Sequence, residues 1–296
     1  MDLLQLRYFQ AVARRQHVSR AAEELHVAQP SLSRAVGRLE AELGVPLFDR
    51  HGRRVRLNRF GVAFLGRVDA ALAQLDQARA ELDDAAGLEH GSVAVAAETL
   101  RPLTGLLASF LAAHPGVSFR LYQSSDPTMA AQLQAGEVDL CVASQPLEGA
   151  SLEVTEVASE EVLVAVPPKH PLARGKRIRV AELAGQPFVT TRPGHWQRAL
   201  TDQLFAEAGL EATIACEGDE PAAIRPLISA GLGVGLLPAV ARRTTPHPPV
   251  AWLRLDAPSP RRTVRLVWRD DAYLSTAARR FRDGAIEHLR DPPGDA

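Results

Sequence analysis

The stretch "QPSLSRAVGR" at residues 29–38 sets amide, hydroxyl and guanidinium groups beside a regular apolar stripe. Leu32, Val36, Leu39 and Leu43 recur at intervals of four, three and four, which lines up one helix face for burial. Pro30, Arg34, Gly37 and Arg38 fall on the opposite face, with Gln29 and Ser33 on its flanks. Such groups contact phosphates and base edges in a major groove. Gly37 either leaves room for close approach to DNA or is an ordinary surface glycine. Further on, Arg50, Arg53, Arg54 and Arg56 surround a His51-Gly52 turn. That basic hairpin could lie along a phosphate backbone or in a minor groove.

The neighbouring residues build a frame for these groups. Leu3, Leu6, Phe9 and Val12 recur every three residues and predict one face of a first helix. Ser19 stands as the N-cap of a short helix bearing Ala21, Ala22 and Leu25. After the break "HVA", Pro30 falls in a first helical turn, where its missing N–H costs nothing, and Gly44 ends the helix. Two short helices with a tight break form a helix-turn-helix, and the hairpin makes it winged.

The chain of 296 residues carries a net charge of −1, but the charge is segregated. Residues 1–60 hold 11 arginines and no lysine against 6 acids, a local +5, while 61–90 hold 2 arginines against 6 acids. A basic first domain on a mildly acidic body is a nucleic-acid footprint. With 46% hydrophobic and 23% charged residues, the composition is that of an ordinary globular protein with room for two or three domains.

From Arg59 to about Ala86 there is no proline, and Leu65, Val68, Leu72, Leu75 and Leu82 take heptad a and d positions, interrupted by Arg79. Such a helix needs a cover for its stripe: a helix of a second subunit, or the body of the same chain. "GLEHG" at 87–91 reads as a hinge. From Ser92 onward strand-like and helix-like runs alternate, as in an α/β domain, and "DPPGDA" reads as a disordered tail.

The ordered pattern "RYFQAVARRQHVSRAAEELHVAQPSLSRAVGRLEAELGVPLFDR" resembles the winged helix-turn-helix of LysR-type transcriptional regulators. "AGEVDLCVAS", "PKHPLA" and "SAGLGVGLLP" resemble their two-lobed effector domain, which shares the periplasmic-binding-protein architecture. Within the family, "EGDEPAAIRPLISAGLGVGLLP" looks closest to regulators of the glutamate-synthase-regulator type. The resemblance implies an α/β chain in three parts: a winged domain at 1–58, a dimerising linker helix and hinge at 59–88, and an effector domain at 91–296. Lobe one would take 91–161 and 269–290, and lobe two 162–268. It further implies that Gln29, Ser31, Ser33 and Arg34 meet DNA from the recognition helix, with Arg50, Arg53 and Arg54 from the wing. One departure stands at 57–61, where the family's Leu-Thr-x-Ala-Gly is "LNRFG". Asn58 can cap as Thr would, whereas Phe60 replaces a small residue.

Ligands of such domains sit between the lobes, near strand ends and helix N-termini that favour an anion. On that fold Thr99, Leu100, Ser125, Thr128 and Ser144 from lobe one would face Thr190, Thr191 and His195 from lobe two. As a set the hydroxyls make a carboxylate site, with Arg192 close by. Glu98, Glu217, Asp219 and Glu220 could instead meet an amino or guanidino group, which leaves the effector's charge open between a small carboxylate and an amino acid. The partners expected are double-stranded DNA at a partly palindromic operator, the effector, further copies of the chain (a homodimer, then a dimer of dimers) and RNA polymerase.

Other classes fit less well. "GLGVG" at 231–235 lies between a helix and the next strand, the reverse of a dinucleotide loop. There is no G-x-S-x-G or H-E-x-x-H motif, and neither Cys141 nor Cys216 has a histidine nearby in sequence, so no catalysis, metal or cofactor is expected. A transport solute-binding protein would need a signal peptide, and "MDLLQLRYFQAVARRQ" does not read as one. An architectural DNA-binding protein without a ligand is a third class. No apolar run reaches membrane-span length, so a cytoplasmic protein is expected.

Overall fold

The computed structural model describes residues 1–51, 54–85, 91–242, 248–256 and 260–290. Two compact units emerge, the first built on Met1–Leu82 and the second beginning at Asp83.

The first unit starts with α1 (Leu3–Arg15), α2 (Val18–Glu24) and α3 (Gln29–Leu43). Asp2 and Gln5 cap α1 reciprocally. The cap of α2 is His17 rather than Ser19, because His17 has the extended backbone and its Nδ1 accepts from the Arg20 N–H. The two strands β1 (Phe48–His51) and β2 (Arg54–Leu57) pair antiparallel, with Phe48 opposite Leu57. Part of the expected His51-Gly52 turn lies outside the described residues. Phe9, Val12, Leu32, Val36, Leu39, Leu47 and Phe48 form one core. Leu3, expected on the buried face, is 45% exposed at the helix start.

A long helix, α4 (Arg59–Ala85), follows the wing. Asn58 Oδ1 accepts the N–H groups of Phe60 and Gly61 at 2.9 and 3.0 Å and so caps it. A Cβ on Gly61 would lie 2.1 Å from the Leu47 carbonyl oxygen, so only glycine lets α4 leave the wing this closely. Phe60 is 40% exposed, with the Arg59 guanidinium 4.6 Å from its ring centre. Val68 and Leu72 are buried in the winged domain's own core, against the expectation that a partner helix covers them. Leu65 packs at the edge of that core, while Leu75 and Leu82 are 48% and 70% exposed. The hinge expected at 87–91 lies almost wholly outside the described residues, as does the tail at 291–296.

The second unit is α/β and two-lobed. Lobe one contains β3 (Gly91–Ala97), α5 (Thr104–Ala113), β4 (Val117–Gln123), α6 (Asp126–Gln134) and β5 (Leu140–Ala143). A 15-residue strand, β6 (Leu152–Val166), then passes into lobe two, which adds β7 (Arg177–Ile178), β8 (Pro187–Thr191), α7 (Trp196–Glu207) and β9 (Thr213–Gly218). After them come α8 (Ile224–Ser229), β10 (Gly235–Pro238) and β11 (Ala251–Leu255), and the chain returns through β12 (Arg261–Arg269) to α9 (Thr276–Arg290). The strand order β4-β3-β5-β12-β6-β11-β7 is shared by both lobes, since β6 pairs with β12 up to Glu161 and with β10 and β11 from Val162.

The expected extent of lobe two, 162–268, therefore ends too late. Residues 261–268 pair with β5 and with the first half of β6, which makes them part of lobe one's sheet. The "GLGVG" glycines have a packing role instead of a nucleotide one. A Cβ on Gly233 would stand 2.1 Å from the Pro187 carbonyl oxygen, where the chain runs hard against β8.

Candidate functional site

The recognition face of α3 is built by burying its other side. Leu32, Ala35, Val36 and Leu39 are in the core, which leaves Gln29, Pro30, Ser31, Arg34 and Arg38 exposed and Ser33 half-buried. Arg34 Nε donates to the Pro30 carbonyl at 3.3 Å, so the guanidinium lies along the first turn. Glu40 holds the wing's start by accepting the N–H groups of Leu47 and Phe48. Arg56 is exposed on β2. Arg53 lies outside the described residues, and so do the side chains of Arg50 and Arg54.

In the second unit the polar centre is Glu98, 1% exposed, at the end of β3. Its Oε2 accepts from Ser144 Oγ at 2.6 Å, and its Oε1 accepts the N–H of Trp196, the first residue of α7, at 3.1 Å. His195 Nδ1 lies 3.6 Å from Oε1, and an Arg262 guanidinium nitrogen lies 3.6 Å from Oε2. Arg262 also donates to Ser144 Oγ at 2.8 Å, stands 3.7 Å from Glu160 and stacks over the Trp196 ring at 4.9 Å. Burial works to raise the Glu98 carboxyl, but His195, Arg262, Ser144 and the Trp196 N–H hold it below the usual carboxylate range. Glu98 in turn raises His195, against the opposing effect of burial.

A second carboxylate, Asp126, opens α6 and is 5% exposed. Its backbone N–H donates to the Gly194 carbonyl at 3.0 Å, which fixes a lobe-to-lobe contact. Gln145 Nε2 donates to Oδ2 at 3.2 Å, while the buried Oδ1 has no hydrogen-bond partner. Burial, and then the charge of Glu98, push the Asp126 carboxyl up to about 7. The Thr190 and Thr191 hydroxyls, at the end of β8, are also buried without partners.

The cleft residues expected from the sequence thus divide. Ser144 and His195 meet at Glu98, with Thr190 and Thr191 on the strand that leads to His195. Ser125 and Thr128 hydrogen-bond each other at 2.9 Å, Thr99 is half-buried, and Leu100 packs on lobe one's core. Glu217 and Asp219 are ion-paired with Arg198 and Arg192. Asp126, Gln145 and Arg262 were not foreseen. Among the described residues no group of three or more His, Cys, Asp or Glu could hold a metal ion, and no helix is long and apolar enough to cross a membrane.

Two families match this chain. Residues 3–62 match "Bacterial regulatory helix-turn-helix protein, lysR family" and residues 86–290 match "LysR substrate binding domain". The chain belongs to the LysR family of DNA-binding transcriptional regulators. Among its relatives, the Bacillus subtilis transcriptional dual regulator GltC is 32% identical over 97% of each chain. The uncharacterised regulator YybE of the same organism is 34% identical over 98% of this chain and its own full length. The RuBisCO operon transcriptional regulator of Allochromatium vinosum is 31% identical over 96% and 95%. Among solved structures, the LysR family regulator CbnR superposes with a TM-score of 0.71 at 25% identity, covering 98% of this chain and 100% of its own. CbnR complexed with its target DNA scores 0.69 at 26% identity with the same coverage. This LysR regulator therefore pairs a winged DNA-binding domain with a two-lobed effector domain, and its relatives are regulators, not enzymes.

Proposed function

We propose that two copies of this chain pair and place their α3 helices in major grooves of a partly palindromic operator. Gln29, Pro30, Ser31, Ser33, Arg34 and Arg38 face the bases and phosphates, and Arg50, Arg53 and Arg54 reach the backbone from the wing. The observation that carries this reading is the amphipathic division of α3, with an apolar face in the core and a donor-rich face in solvent.

The effector sits between the lobes, beside Ser144, Thr190, Thr191 and His195. By favouring one lobe arrangement it shifts the balance between two assemblies, and the linker helix carries the change to the DNA-binding domains. Leu75 and Leu82 take part in subunit pairing, with Leu65 on the same helix nearer the winged domain. The protein acts in the cytoplasm as a dimer or dimer of dimers, contacts RNA polymerase and controls its own gene.

The test is a titration of the purified chain on DNA just upstream of its gene, at several salt concentrations, beside a scrambled duplex. Tight binding to the native duplex alone, weakening linearly with log salt, is the expected result. Failure to bind either duplex at low salt would overturn the assignment of α3 and the wing.

A further inference from the structure

The anion slot between the lobes already holds one of the chain's own carboxylates. The N-terminus of α7, where free N–H groups and the helix dipole favour negative charge, is met by Glu98 through the Trp196 N–H. Ser144, one of the donors expected to receive an effector carboxylate, donates to Glu98, and His195 Nδ1 stands 3.6 Å from it. A second anion there would face the charge of Glu98 at close range in a water-poor site.

The balance of ionisable groups points the same way. Glu98, Asp126 and Glu160 surround the cluster with three carboxylates, against the two cationic groups Arg262 and His195. Arg262 stands 3.6 Å from Glu98 and 3.7 Å from Glu160 and stacks over the Trp196 ring, while His195 Nδ1, 3.6 Å from Glu98 and charged only when protonated, has no hydrogen-bond partner. Asp126 Oδ2 accepts from Gln145 Nε2, and the backbone N–H groups of Ser144 and Gln145 and the His195 ring act on the carboxylate, yet its buried Oδ1 has no hydrogen-bond partner and the residue is 5% exposed. A buried carboxylate oxygen without a donor is costly unless a ligand supplies one. Cys141, packed nearby and fully buried, offers no cation, and burial holds its thiol protonated.

The geometry points to an effector that carries a protonated primary amine, seated against Asp126 Oδ1 between the two lobes. This inference rests on the reading of the cleft as the effector site and adds the ligand's chemical class. The ammonium supplies the missing donor and the missing positive charge together. It also ties lobe one to the Gly194–His195 segment of lobe two, since the Asp126 N–H already meets the Gly194 carbonyl.

The experiment uses the full chain and matched probes. Ethanolamine, putrescine, L-ornithine and L-lysine are each compared with their fully N-acetylated counterparts, and succinate and 2-oxoglutarate serve as carboxylates without an amine. Thermal shift and calorimetry are the readouts. At least one amine is expected to raise Tm where its acetylated form does not. Asp126→Asn, which keeps the shape and the Gln145 contact, should lower that amine's affinity at least tenfold. Because the Asp126 carboxyl is pushed up to about 7 and the neighbouring His195 charge also opposes a cation at low pH, affinity for the amine should rise severalfold between pH 6 and pH 8.

A dicarboxylate that binds equally well to wild type and Asp126→Asn would keep the cleft as the effector site and overturn the amine. A divalent ion that reproduces the Asp126-dependent shift would make this a metal site and overturn it too. Silence from both probe series would remove the amine and the cleft reading together.

Discussion

His195 Nδ1, carried by lobe two, lies 3.6 Å from Oε1 of Glu98, carried by lobe one. The pair gives the interlobe contact a pH window. His195 is raised above its ordinary 6.5, so its contribution is complete below that value and fades as pH climbs through the raised one. Glu98 is lowered below its ordinary 4.5, so its contribution is complete above that value and fades as pH falls through the lowered one. The contact is therefore strongest between about 4.5 and 6.5. His195→Gln should cost about 1–2 kcal/mol at pH 6 and much less at pH 9. Thermal unfolding of both proteins across that range checks it, and a loss independent of pH would show that the contact is not ionic.

Arg34 is exposed on α3 and leans along its first turn towards Pro30. If it reads a base edge, Arg34→Ala should weaken operator binding by about 1–3 kcal/mol while random DNA loses much less. Equal loss on both duplexes, with a smaller salt dependence, would make it a phosphate contact. Titrations on both duplexes at two salt concentrations separate these outcomes.

The stripe on α4 shows what could and could not be read from the sequence. Heptad spacing says that Leu65, Val68, Leu72, Leu75 and Leu82 need a cover, but it carries no information about which chain provides it. Val68 and Leu72 are covered by the winged domain of their own chain. The helical stripe Leu32-Val36-Leu39 was legible because its burial follows from local periodicity alone. The cluster around Glu98 was not, since residues 98, 126, 144, 195 and 262 converge only through the two-lobed topology. Asp126 at the head of α6 has the sequence signature of an ordinary N-terminal acid. Arg262 lies on a strand whose place in lobe one is set by pairing with β5 and β6.

That division of the stripe decides which residues test the dimer. A substitution at Leu72 would open the winged domain's core and confuse unfolding with dissociation. Leu75 and Leu82 are exposed, so Leu75→Asp with Leu82→Asp should leave the fold intact and yield a monomer with poor operator affinity. Sedimentation and circular dichroism read the two properties independently. A dimer that survives both changes would place the subunit interface away from the C-terminal half of α4.

Asp126 makes the last prediction, one about stability in the absence of any ligand. Its carboxyl is pushed up from 3.8 to about 7, so the folded chain holds this proton where the unfolded chain has released it. Stability is therefore lost as pH rises from about 4 to 7, the reverse of the usual carboxylate, and the deficit persists above 7. Asp126→Asn removes that deficit, since a neutral amide pays no desolvation for a charge and can still accept from Gln145. The variant should be more stable than wild type at pH 8 by roughly 1–4 kcal/mol, the upper figure being the full shift converted at 1.36 kcal/mol per unit. At pH 4 the two proteins should unfold at nearly the same temperature. A variant less stable than wild type at pH 8 would mean that the ionised carboxylate is already well satisfied, which would also remove the vacancy at Oδ1 on which the amine depends.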